Sequence, residues 1–261
     1  MVDFDERVTL VEHLDELRRR IIIAAVALGV GIVVAAVLND QVFALLQRPI
    51  MILPGVPHRI TTFGPAEPFM VSLKVWAYVG VIVASPVVIY EFWAFIGPAF
   101  TPASRRMLVF VAAVCVALFL FGVVFGYLIV LPKGLSWLLR FNGRYFNTQL
   151  RASEYFSFVA WFLIAFGAVF EMPVVIIAAV RIGVVKTSFL RKHWRYAIVI
   201  NAVIAMVATP SQDAFSFIAM FVPLEILYEL SVMIARLMER RREVEQRRTA
   251  DDDTGQTTAP A

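Results

Sequence analysis

Long apolar runs separated by short polar intervals constrain this chain more than any other feature of its sequence. A helix needs roughly 20 apolar residues to cross about 30 Å of hydrocarbon. Four stretches fit that form: Ile21–Leu38, Phe69–Tyr90, Met107–Leu131 and Ser157–Val180. Of the 261 residues, 60% are hydrophobic and 17% charged, whereas a soluble domain has about 45–50% apolar and about 25% charged residues. With its polar residues confined between apolar runs, the chain lacks the polar coat of a soluble fold. It reads as one all-α membrane domain.

The apolar stretch from Tyr196 to Leu237 is interrupted by Thr209-Pro210-Ser211-Gln212-Asp213, a cluster of turn formers. It predicts a helical hairpin with arms 196–209 and 214–237, giving six spans in all. The first arm has 14 residues and at 1.5 Å per residue reaches only about 21 Å, so the bilayer is expected to thin there. Glu225 and Glu229 are then expected near the cytoplasmic interface. Lysine and arginine set orientation. Placing both ends in the cytoplasm puts 17 of the 24 basic residues inside and 6 outside, with Lys74 within a span. This divides the chain into a cytoplasmic N-terminal helix (1–20), a six-helix domain (21–237) and a charged, partly disordered cytoplasmic tail (238–261). The first outer loop, 39–68, carries Pro49, Pro54, Pro57, Pro65 and Pro68, which suggest short helical pieces and bends.

The net charge of +4 does not point to nucleic acid, because the basic residues sit beside apolar runs rather than on a polar module. A single cysteine, Cys115, rules out a disulfide or a cysteine cluster within one chain and reads as buried filler. The polar start, with no small-residue cleavage site after the first apolar run, argues against a cleaved signal peptide. His13, His58 and His193 lie outside the spans and far apart. No Gly-x-Ser-x-Gly elbow, His-Glu-x-x-His helix or Walker loop is present. Neither a hydrolase nor an ATP-driven pump is expected, and no cofactor is implied.

Three segments carry candidate function. In His13-Leu14-Asp15-Glu16-Leu17-Arg18-Arg19-Arg20, helical spacing gathers His13, Glu16, Leu17 and Arg20 near one face. This is either an interfacial anchor or a carboxylate site for a cationic partner, since Glu16 can pair bidentately with a guanidinium. The aromatic run around Tyr90, Phe92, Trp93 and Phe95 reads as an interfacial belt or as an apolar groove for a peptide. Glu171 lies inside the fourth span, where a charge costs about 2.5–3.5 kcal/mol. It is expected to face protein or water, or to be protonated, beside a kink at Pro173. Lys74 is a possible partner if the spans touch.

Five motifs in order together resemble the TatC family of the twin-arginine translocase: His13-Leu14-x-Glu16-Leu17-Arg18-x-Arg20, Thr62-x-x-Pro65-x-Glu67-x-Phe69, Tyr90-x-x-Trp93-x-Phe95, Phe166-Gly167-x-x-Phe170-Glu171-x-Pro173 and Thr209-Pro210-x-x-Asp213-x-x-Ser216. The resemblance implies a multi-pass protein of the cytoplasmic membrane, concave within the membrane, that binds twin-arginine signal peptides of folded proteins. It implies partners of TatA and TatB type, self-association in a larger complex, and export driven by the proton-motive force. Glu16, Arg18 and Phe95 would meet the signal peptide. Glu171, with Pro173, would dock partner helices, and Pro49 and Glu67 would belong to the outer loop. Asp213 would sit in the tight outer turn, where it can also cap the last helix. At Ser104 the family commonly has a second glutamate. Ser104 is neutral, and Glu91 is the nearby carboxylate that could substitute.

A competing reading is a proton-coupled transporter for a small solute using Glu171, Glu225 and Glu229. Such carriers often show repeated halves, and no repeat is visible.

Overall fold

The computed structural model describes the backbone of residues 4–54, 60–96, 105–141, 149–209 and 213–256, and the side chains of 13–54, 60–96, 106–141, 149–209 and 213–240. The elements are helices α1 (Phe4–Val37), α2 (Asn39–Met51), α3 (Glu67–Ile96), α4 (Arg105–Phe125), α5 (Leu131–Arg140), α6 (Ala152–Val169), α7 (Met172–Ile182), α8 (Thr187–Lys192), α9 (Trp194–Ala208) and α10 (Ala214–Gln256), with two strands, β1 (Ile60–Thr61) and β2 (Leu150–Arg151). Five runs among the described residues are long and apolar enough to cross a membrane: His13–Val37, Glu67–Ile96, Arg106–Arg140, Ala152–Ile182 and Ala214–Arg240. The shorter α9 completes the expected six. An even number of crossings leaves both termini on one face, called here the terminal face.

The apolar surface is divided between lipid and core. Val26, Val33, Leu128, Val199 and Val207 are each more than 60% exposed, and burying them in hydrocarbon stabilises the spanning form. The core is built around α6, where eleven of 18 residues are buried, among them Val159, Phe162 and Phe166. Ile50, Val75, Met220 and Leu224 close around it.

Helices α1 and α3 form the most extensive helix pair, and two glycines explain how. A Cβ on Gly31 would lie 2.5 Å from the Gly80 carbonyl oxygen, and one on Gly80 would lie 2.8 Å from the Ile32 nitrogen. Small residues at such a crossing let backbones pack where no hydrophobic force joins helices in lipid.

The loop face is more structured than its prolines suggest. Pro49 lies inside α2 and has no N–H to give the Leu45 carbonyl. The Tyr127 hydroxyl donates to that carbonyl at 2.8 Å, and the Tyr155 hydroxyl donates to the next one, Leu46, at 2.9 Å. Two tyrosines from other helices thus satisfy a proline-disrupted turn. Tyr155 is 3% exposed. Tyr155→Phe should therefore remove a buried hydrogen bond and cost about 0.5–1.5 kcal/mol, to be read as a lowered melting temperature of the detergent-solubilised protein.

Two features of this face depart from the sequence reading. The third span does not end at Leu131. A π-helical turn, Gly126–Val130, joins α4 to α5, with the Leu131 N–H donating to Gly126 five residues back. That widened turn carries Pro132 without breaking the rod, which runs on to Arg140. The two outer loops are also stitched together by a parallel pair, Ile60 to Leu150 and Thr61 to Arg151. At the other end of the chain, α10 passes through Pro223 and its backbone stays helical to Gln256, well beyond Met238, where its apolar run ends.

Candidate functional site

On the terminal face the first turns of the membrane-crossing part of α1 lie against the last turns of α3. The His13 ring stacks on Phe95 with centroids 4.6 Å apart. Two turns further, Arg20 lies between two carboxylates: its Nε donates to Glu16 Oε1 at 3.1 Å and its Nη1 to Glu91 Oε2 at 3.0 Å. Glu16 and Arg20 are four residues apart with the glutamate first, the favourable order on a helix, whereas Glu91 comes from 71 residues away. The Glu16 side chain is 39% exposed and the Glu91 side chain 12%. With one guanidinium for two carboxylates, the trio carries a formal charge of −1 that can take a second cation.

The structure thus gathers Glu16, Glu91 and Phe95. It does not gather Arg18, which is exposed and two residues from Glu16, so on another side of α1. Ser104 lies outside the described residues. Arg20 is the central charge of the cluster. The signal for its pairing with Glu16 was the four-residue spacing, and nothing local announced Glu91.

Glu171 sits at a break in the fourth span. Helix α6 ends at Val169 and α7 begins at Met172, with Pro173 in its first turn. The Glu171 carbonyl accepts from both Val174 and Val175, at 3.1 and 3.2 Å. Its Oε1 is buried and has no hydrogen-bond partner among the described residues, with Cys115, itself fully buried, beside the carboxyl group. Lys74 is exposed and forms none of the ion pairs found among the described residues. Glu225, expected near the interface, accepts from Asn201 Nδ2 at 2.8 Å. Asn201 is midway along α9, so the short helix sets the depth of that glutamate. Among the described residues, no three His, Cys, Asp or Glu side chains group so as to hold a metal ion, and the carboxylates of the transporter reading stand on separate contacts.

The remaining candidates lie on the loop face. Asp213 Oδ1 accepts from the Ser216 N–H at 2.8 Å, the N-cap geometry for α10, while its Oδ2 is buried without a partner among the described residues. Glu67 accepts from the Phe63 N–H at 2.7 Å and from Arg151 Nε at 2.8 Å. It therefore ties the start of α3 to the β1–β2 stitch, and the Arg151 pKa is raised by that hydrogen bond. Pro49 occupies the tyrosine-supported turn described above.

Comparison with known proteins gives one family. The family model described as "Sec-independent protein translocase protein (TatC)" matches residues 12–223. The chain is similar to the Sec-independent protein translocase protein TatC of Desulforapulum autotrophicum, with 35% identity over 97% of this chain and 93% of that protein. It is likewise similar to TatC of Aquifex aeolicus, with 36% identity over 89% of this chain and 97% of that one. Its fold resembles a crystal structure of the twin-arginine translocase receptor TatC in detergent, with a TM-score of 0.76 and 36% identity over 85% of this chain and 99% of that one.

Proposed function

Because this chain belongs to the TatC family of Sec-independent protein translocase proteins, we propose that its Glu16–Arg20–Glu91 cluster receives the arginine pair of a twin-arginine signal peptide. The chain is a multi-pass membrane protein of the Tat system and takes part in protein transport. The observation that carries the proposal is the residual negative charge of two carboxylates bridged by one internal guanidinium, reached from solvent mainly at Glu16, beside a histidine–phenylalanine stack. A second guanidinium completes the neutralisation and makes charge-assisted hydrogen bonds, which are roughly twice as strong as neutral ones. In this reading Glu91 supplies the second carboxylate that the family commonly carries at the position of Ser104. Arg18 acts at longer range, on the same face but outside the cluster.

The terminal face is cytoplasmic in this proposal, as the 17 to 6 distribution of basic residues favours. Glu171, an unpartnered carboxyl oxygen at a helix break within the bilayer, is the docking point for single-span subunits of TatA and TatB type. A polar group on such a helix would satisfy it and remove the penalty of an unpaired polar atom in lipid. Pro173 holds the break open. Assembly with these subunits, self-association and use of the proton-motive force complete the proposal.

The test is a photo-reactive phenylalanine analogue in place of Phe95, in protein reconstituted into nanodiscs. A twin-arginine signal peptide should be labelled several-fold more than the same peptide with both arginines changed to lysine, because lysine lacks the planar fork that pairs with carboxylates. Equal labelling of the two peptides would overturn the proposal.

A further inference from the structure

At the loop face a cavity of about 670 Å³ opens between α5, the start of α10 and the residues just after α2. One face of α5 supplies Lys133, Ser136 and Arg140, spaced at three and seven residues so that all three line the cavity. Its aromatic wall is rigid. Trp137 stacks on Phe215 with centroids 5.8 Å apart and planes 20° from parallel, and Gly134 lets Phe215 approach to within 3.4 Å of where a Cβ would stand. Arg140 is anchored at the rim by donating from Nη2 to the Pro54 carbonyl at 2.9 Å, and its guanidinium lines the cavity. Among the described residues the lining includes two cations and no carboxylate.

We infer that this cavity holds the phosphate headgroup of an anionic phospholipid. Three observations select that occupant. The first is charge: Lys133 and Arg140 converge with a hydroxyl and no acid, which suits a phosphodiester. The second is position: the cavity lies at the end of the Arg106–Arg140 run, where its apolar sequence gives way to Lys133, Ser136 and Arg140, and tryptophan and basic side chains at the ends of spans meet lipid headgroups. The third is continuity with the bilayer. Pro132 also lines a second cavity, of about 310 Å³, with Pro49, Ile52 and Leu128 on its apolar side and Arg48 and Tyr127 at its polar edge. The Ile52 and Leu128 side chains are 61% and 63% exposed, an apolar surface suited to the start of an acyl chain. In the orientation proposed above, the lipid belongs to the outer leaflet.

The experiment is native mass spectrometry of the delipidated full chain titrated with dioleoylphosphatidylglycerol or dioleoylphosphatidylcholine. The protein should retain the anionic lipid on the order of tenfold better than the zwitterionic one, as expected for two cations near a headgroup. Lys133→Gln with Arg140→Gln should abolish the preference, whereas Lys133→Arg with Arg140→Lys, which keeps both charges, should preserve it. Arg191→Gln with Lys192→Gln removes equal charge from the terminal face and should leave the preference intact, provided each variant elutes and melts as the parent does. Equal retention of both lipids overturns the inference. So does an undiminished preference in the double glutamine variant, displacement of the lipid by excess inorganic phosphate, or a second copy of the chain in place of lipid.

Discussion

Glu16→Gln combined with Glu91→Gln is expected to weaken binding of a twin-arginine signal peptide about ten- to hundredfold. Hydrogen bonds to charged groups contribute about 1.5–3 kcal/mol, and each 1.4 kcal/mol is about a factor of ten. The lower end of that range applies to the more exposed Glu16, where water and salt screen the pair. The loss should exceed that of either single change, because Arg20 can lean on whichever carboxylate remains. Glutamine keeps the shape of both side chains, so the variant should elute and melt as the parent does. Fluorescence anisotropy of a labelled signal peptide in detergent supplies the measurement, and an affinity within threefold of the parent's would refute the assignment of these carboxylates.

The second large effect comes from the glycine crossing that holds the cluster together. Gly31→Ala places a methyl group 2.5 Å from the Gly80 carbonyl oxygen. That atom belongs to a helix backbone and cannot rotate away, so α1 and α3 must separate, at a typical overpacking cost of about 1–3 kcal/mol. Gly29→Ala is the matched control, because a Cβ there meets nothing within 4 Å; alanine is favoured over glycine in a helix by about 1 kcal/mol. The two changes, half a turn apart, should therefore shift the melting temperature in opposite directions. Separation would also be felt about four to five turns away at the His13–Phe95 stack. A disulfide between His13→Cys and Phe95→Cys, in a Cys115→Ser background, should form readily in the parent and in the Gly29→Ala variant. In the Gly31→Ala variant its yield should fall. Equal yields and equal melting temperatures would mean that the crossing tolerates a methyl group.

Hydropathy and turn chemistry act locally, and what they govern was legible in the sequence. The spans, the hairpin broken at Thr209 to Asp213 and the cap donated by Asp213 all follow from neighbours within a few residues. Glu16 and Glu171 stood out because carboxylates beside or inside apolar runs are costly. The junction of Arg20 with Glu91 was not legible, because it depends on how two helices cross at Gly31 and Gly80, and no spacing within either helix encodes the distance between them. Two-residue strands are too short for an alternation pattern, so the β1–β2 stitch left no trace. The third span read as Met107–Leu131 because its apolar run gives out there, and nothing in that run announced the π turn of five residues through which the helix continues past Pro132.

The end of the short helix α9 has a consequence for how the chain is made. The Ala208 carbonyl, in the last turn of that helix, accepts from the indole Nε1 of Trp161 on α6 at 3.0 Å. A helix that stops short exposes its last carbonyls to surroundings that offer them few donors, and each one left unpaired resists insertion. Synthesis runs from Trp161 towards Ala208, so the donor is already seated when the acceptor emerges. The hairpin of α9 and α10 is in this sense a late tenant, admitted to the bilayer by a helix made before it. Inserting the same hairpin alone, ahead of α6, would strand it at the surface.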